Sequence, residues 1–131
     1  MESGGSHMYE VRVRGGFPAA HQVRFADGTV EPLHDHNWQV EVVVACEALD
    51  SAGMGIDFVE VDRALEACLA ELTNTNLNDN PALAGINPTS ENLARWVCDR
   101  LAPAIERDGV RLVRVDVAEQ DRYAASYRPA P

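Results

Sequence analysis

The chain has 131 residues, 46% hydrophobic and 24% charged, which suits one compact domain with a core of its own. Its 21 acidic residues against 11 basic ones leave a net charge of −10 with no basic cluster, an argument against nucleic acid and anionic membrane surfaces as partners. All eleven basic residues are arginine, so Schiff-base chemistry on a lysine is excluded.

Met1 to His7 reads as an expression-tag remnant ahead of Met8, leaving residues 8–131 as a single domain and setting His7 aside. Tyr9 to Arg14 alternates with period two and predicts a strand with Tyr9, Val11 and Val13 on one face. Gly15-Gly16 predicts a break or a bulge. Phe17 to His21 follows, then a polar loop through Asp27-Gly28. A second strand is predicted from about His34 to Cys46. On it His34, His36, Trp38, Val40, Val42 and Val44 share one face, and Asp35, Asn37, Gln39 and Glu41 share the other.

From Asp57 to Leu72 the period becomes helical. Phe58, Val61, Leu65, Cys68, Leu69 and Leu72 form one stripe, with Asp57 as the N-cap. Residues 73–81 and 85–88 read as loop. A second helix opens at Pro88-Thr89-Ser90-Glu91, capped by Thr89, with Leu93, Trp96, Val97 and Leu101 as its stripe; Pro103 is expected to kink or end it. Arg111 to Glu119 predicts a strand with Val113, Val115, Val117 and Glu119 on one face, and Arg122 to Arg128 a last strand. The order ββααββ predicts an α+β fold, an antiparallel sheet with two helices on one face. Its two open edges predict pairing in a homo-oligomer.

Cys46, Cys68 and Cys98 are odd in number and lack CxxC spacing, so they read as buried thiols in a reducing compartment. No apolar stretch is long enough to span a bilayer, and a cytoplasmic location is expected.

The chemistry gathers at His21, His34 and His36. A strand puts residues i and i+2 on one face, so His34 and His36 can converge on one ion, and His21 can reach it from the preceding segment. Three imidazoles without an obvious fourth protein ligand describe a zinc site with one open position, although imidazole suits several divalent metals. On spacing alone, ordinary hydrogen-bonded histidines are an equal reading.

The segments FPAAH (17–21), HDHNW (34–38), GMGIDF (53–58), LNDNP (77–81) and NPTSENLARWV (87–97), with Glu119, resemble the 6-pyruvoyl-tetrahydropterin synthase and 6-carboxytetrahydropterin synthase family over nearly the whole chain. The resemblance implies the tunnelling fold, or T-fold, with subunit sheets joined in a trimeric barrel and two trimers stacked as a hexamer. It implies that His21, His34 and His36 bind zinc, whose open position takes the side-chain hydroxyls of a reduced pterin such as dihydroneopterin triphosphate. Glu119 matches the residue that anchors the pterin's amino-pyrimidinone edge, a pair of N–H donors suited to a carboxylate. A solvated strand-end glutamate is the other reading. Thr89 and Ser90 match positions that frame the pterin, and equally they cap a helix. Asp35 stands where a glycine is usual and faces away from the histidines.

Two departures matter. No cysteine lies between Val23 and Leu33, where the family's catalytic cysteine is expected, and Thr73 and Asn74 stand where its Asp-His pair is expected. Glu31 resembles the glutamate of a branch that cleaves the pterin side chain to a hydroxymethyl group, which makes it a provisional base; a solvated loop carboxylate is the alternative. Arg24 is the candidate phosphate contact, or a surface arginine. The implied activity is a lyase of the carbon–oxygen type. The rivals are a non-catalytic zinc- and pterin-binding protein, and an enzyme for another pterin- or purine-like heterocycle.

Overall fold

The computed structural model describes Met8 to Pro131. The tag-like residues 1–7 lie outside the described residues. Four strands, β1 (Tyr9–His21), β2 (His34–Cys46), β3 (Val110–Gln120) and β4 (Tyr123–Tyr127), form one antiparallel sheet in the order β1-β2-β3-β4. Helices α1 (Phe58–Leu69) and α2 (Ser90–Ile105) lie between β2 and β3 in sequence, with a 3-10 turn at Pro81–Leu83.

The core fills the space between helices and sheet. Trp38, Val40, Val42 and Val44 of β2 are buried there with Leu65 and Leu69 of α1, Leu93, Val97 and Leu101 of α2, and Val115 and Val117 of β3. Period-two residues therefore meet period-3.6 stripes, as the pattern requires. Asp57 caps α1 by accepting from the Val59 N–H, and Thr89 caps α2 by accepting from the Asn92 N–H.

Four expectations need correction. Gly15-Gly16 does not interrupt β1, which runs unbroken to His21. A Cβ on Gly15 would lie 3.1 Å from Leu69 Cδ1, and one on Gly16 would lie 2.9 Å from the Trp38 carbonyl oxygen. The glycines admit close neighbours rather than turning the chain. Helix α1 ends at Leu69, and Phe58 is 61% exposed rather than part of its buried stripe. Leu72 is still fully buried, from the turn that follows. Pro103 does not end α2, which continues to Ile105. On β3, Val113 is skipped where the register passes from Val43↔Arg114 to Val44↔Leu112. Leu112, not Val113, joins the buried face.

Candidate metal centre

At one end of the ladder the register pairs His21 with His34 and Ala19 with His36. All three imidazoles thus project from the helix-facing side of the β1–β2 pair, and one ring nitrogen from each falls within a 4.8 Å cluster. His21 is fully buried, and His34 and His36 are partly so. Trp38 forms the floor, edge-on to His21 at 4.7 Å and to His36 at 5.3 Å between ring centroids. Its own Nε1–H donates to the Ala19 carbonyl, which fixes the indole.

The ring tautomers follow from their partners. His21 Nδ1 is 2.8 Å from the Pro88 carbonyl oxygen, and His34 Nδ1 is 2.8 Å from that of Pro32. A carbonyl can only accept, so each Nδ1 carries the hydrogen and each Nε2 presents a lone pair. Those two Nε2 atoms are 3.1 Å apart. Between neutral rings no hydrogen is left to join them. His36 Nε2 is buried with no hydrogen-bond partner among the described residues, although such atoms are nearly always satisfied. Burial holds His36 below the usual histidine range, against the opposing pull of the Glu119 charge, and so keeps it neutral and able to ligate.

Two carboxylates complete the cluster. Glu31 Oε1 lies 3.8 Å from both His21 Nε2 and His34 Nε2, and it accepts from the Val23 N–H at 3.0 Å. Glu119 Oε2 lies 3.5 Å from both His21 Nε2 and His36 Nε2. Glu119 follows Val115 and Val117 at period two onto the helix-facing side, and the β3–β4 register, which passes from Ala118↔Ala124 to Gln120↔Tyr123, leaves it without a β4 partner. Facing lone pairs, an orphaned buried nitrogen and two carboxylates together fit a divalent cation. The nitrogen-rich donor set suits zinc and the other metals that favour imidazole.

Other residues singled out in the sequence take varied positions. The Pro88 contact brings the start of α2, with Thr89 and Ser90, next to the His21 ring. The Arg24 guanidinium bonds the Gly85 carbonyl at 3.3 Å, and its backbone is clamped by Asn87. Thr73 Oγ1 donates to the Leu69 carbonyl, and Asn74 adopts a left-handed backbone with its N–H on the Pro18 carbonyl. Asp35 is exposed on the opposite face of the sheet. A cleft of about 550 Å³ opens beside His36, lined also by Asp35, Asn37, Asn74 and Asn76.

Sequence reasoning missed the braces. Asn78 clamps the chain after His21, accepting from the Gln22 N–H and donating to the Gln22 carbonyl, while Gln22 Nε2 reaches the Glu31 carbonyl. The asparagine-rich run from 74 to 80 was the available signal. Prolines 32 and 88 left none, because their contribution is a backbone oxygen.

Fold and site together define an α+β protein with a three-histidine, two-carboxylate centre at the end of its sheet. The chain matches the 6-pyruvoyl tetrahydropterin synthase family over residues 10–130, and it belongs to that family. It is 33% identical over 110 residues to the dihydroneopterin monophosphate aldolase of Pyrococcus furiosus, covering 84% of this chain and 89% of that one. It is 34% identical over 115 residues to the 6-carboxy-5,6,7,8-tetrahydropterin synthase of Synechocystis, covering 85% and 86%. The 6-pyruvoyl tetrahydropterin synthase structure from Caenorhabditis elegans superposes with a TM-score of 0.80 at 18% identity, covering 95% and 97%, which establishes the T-fold.

Proposed function

We propose that this protein is a zinc-dependent lyase that cleaves the side chain of a phosphorylated reduced pterin, with His21, His34 and His36 as metal ligands and Glu31 as the base. The observation that carries this reading is the place of Glu31, against two ring nitrogens of the candidate metal centre and held by the Val23 N–H. The aldolase relative makes side-chain cleavage, rather than the carbon–oxygen elimination of the synthases, the favoured reaction. Thr73 and Asn74, at the positions matching the Asp-His pair that even the glutamate branch is expected to keep, supply no second acid–base group, so Glu31 carries both proton transfers in this reading. A thiol needs a partner to take its proton before it acts, whereas a carboxylate is already a base.

Bound zinc would supply Lewis-acid polarisation of a substrate hydroxyl. Glu31 removes the proton of the 2′-hydroxyl, and the C1′–C2′ bond breaks as C2′ becomes an aldehyde. The electron pair passes into the C6–N5 imine of the dihydropterin. Glu31 returns the proton to C1′, giving a 6-hydroxymethyl dihydropterin and glycolaldehyde phosphate. Glu119 accepts the two N–H donors of the ring's amino edge, Thr89 and Ser90 frame the ring, and Arg24 meets the phosphate. A cytoplasmic homo-oligomer, two stacked trimers, belongs to the same reading; among the described residues no helix is long and apolar enough to cross a membrane.

The test is mass spectrometry of products after zinc-loaded protein meets dihydroneopterin monophosphate and, separately, the triphosphate. A hydroxymethyl dihydropterin with a phosphorylated glycolaldehyde is the expected result, and Glu31→Gln should slow its formation at least about 100-fold, the scale of general base catalysis. Undiminished turnover by Glu31→Gln would remove the base assignment. No product from either substrate would move the reading to a non-catalytic pterin-binding protein or to another heterocycle.

A further inference from the structure

Resting on the metal reading of the histidines, we propose that Glu119 is a fourth metal ligand in the substrate-free protein, so that the centre is closed at rest and opens when the pterin takes the carboxylate away. Four ligand atoms set tetrahedrally at about 2.1 Å from a zinc ion stand roughly 3.4 Å from one another. Glu119 Oε2 meets that separation from two of the three imidazole nitrogens, at 3.5 Å each. Glu31 is farther, at 3.8 Å from its two, and is already engaged by the Val23 N–H. The Glu119 carboxylate has no other polar partner among the described residues. It also projects from an unpaired bulge position of β3, which leaves its backbone out of the β4 ladder.

The second argument is geometric. A pterin whose C6 side chain lies on the metal presents its amino-pyrimidinone edge at the far end of the bicyclic ring. One carboxylate cannot hold that edge and stand 3.5 Å from two metal-binding imidazoles at the same time. Glu119 therefore has two mutually exclusive positions, and ring binding pulls it off the centre. Anchoring the ring and freeing the coordination position for the side-chain hydroxyls become one event. Without substrate, the closed centre withholds its open position from water.

The experiment compares wild type, Glu119→Gln, Glu119→Ala and His34→Ala by zinc competition against a chromophoric chelator and by the absorption of the cobalt-loaded proteins. Neopterin serves as the probe ligand. Wild type is expected to hold one metal per chain, with both Glu119 variants weaker by at least about tenfold. Their cobalt bands should differ from those of wild type, because a ligand has changed; a role in electrostatics alone would leave the bands in place. Neopterin should shift the wild-type bands and leave those of Glu119→Ala much less affected. Unchanged affinity and unchanged cobalt bands in both Glu119 variants would overturn the proposal while leaving the histidine site intact. If wild type binds no stoichiometric metal, the metal reading itself fails.

Discussion

His21 and His34 each donate Nδ1–H to a proline carbonyl, so their Nε2 lone pairs face each other at 3.1 Å. Without a cation that contact is repulsive, and with one it becomes a chelate. Zinc should therefore raise the melting temperature of wild type, by an amount equivalent to about 2.7 kcal/mol at a hundredfold excess over Kd. His34→Ala should abolish that rise and leave the metal-free melting temperature unchanged or higher. A zinc-induced rise of equal size in His34→Ala would refute the ligand assignment. The thiols make the opposite kind of statement. Burial pushes Cys68 up to about 12 and Cys98 up to about 11, so neither supplies a thiolate at neutral pH. Their folded values are raised, so their stabilising contribution is whole below the unfolded thiol value of about 8.5 and is lost as pH rises toward 11 and 12. Chemical denaturation between pH 8 and pH 11 should show that decline, and a thiol reagent should label these cysteines only after unfolding. Rapid labelling of the native protein at pH 7.5 would contradict it.

At the scale of elements, the end of β1 is held by contacts that no periodicity displays. The segment from Asn74 to Leu77 runs along the outer edge of β1: the Asn74 N–H bonds the Pro18 carbonyl, the Ala20 N–H bonds the Thr75 carbonyl, and the Leu77 N–H bonds the Ala20 carbonyl. Asn74 thus helps hold the strand that carries His21, while Thr73 bonds back to Leu69 of α1. On the inner side, Gly16 lets β2 approach, and its missing Cβ is 2.9 Å from a backbone oxygen that cannot rotate away. Gly16→Ala should cost about 1–3 kcal/mol, the scale of overpacking, as measured by urea denaturation. Gly15→Ala, whose Cβ would meet only leucine and glutamate side-chain atoms, should cost less. Equal stability of Gly16→Ala and wild type would show that the strands can part without loss. The element order was legible because β2, α1, α2 and β3 carry clean apolar periods. The convergence of His34 and His36 was legible for the same reason, since i and i+2 share a face. The bulges at Val113 and Glu119 were not, because alternation continues unbroken in the sequence of β3 while β3 holds one residue more than its partner at each bulge. The face of Glu119 was legible from its alternation with Val115 and Val117, but its distance from the histidines was not.

At the scale of the molecule, the sheet ends in two strands with open edges, and among the described residues only one stretch of them is covered. The Asn74–Leu77 segment guards β1 from Pro18 onward, whereas Tyr9 to Phe17 present unpaired backbone on that side. Near the start of that edge lies an apolar hollow of about 230 Å³ lined by Tyr9, Val11, Leu49, Met54, Ile56 and Phe58. Tyr9 is 47% exposed and Phe58 is 61% exposed. A long open strand beside exposed aromatic side chains is a liability for a monomer, and pairing with another copy removes it. The second edge, β4, offers a strand for that pairing, so copies joined edge to edge can close a ring with no edge left free. The stacked trimers of the proposed function set the expected mass at three or six chains by light scattering coupled to size exclusion at micromolar concentration. Phe58→Glu, which puts a charge on the apolar rim without touching the histidines, should shift the mass toward the monomer while the zinc-induced rise in melting temperature persists. A wild-type monomer at that concentration would overturn the assembly and leave the metal centre to be judged on its own measurements.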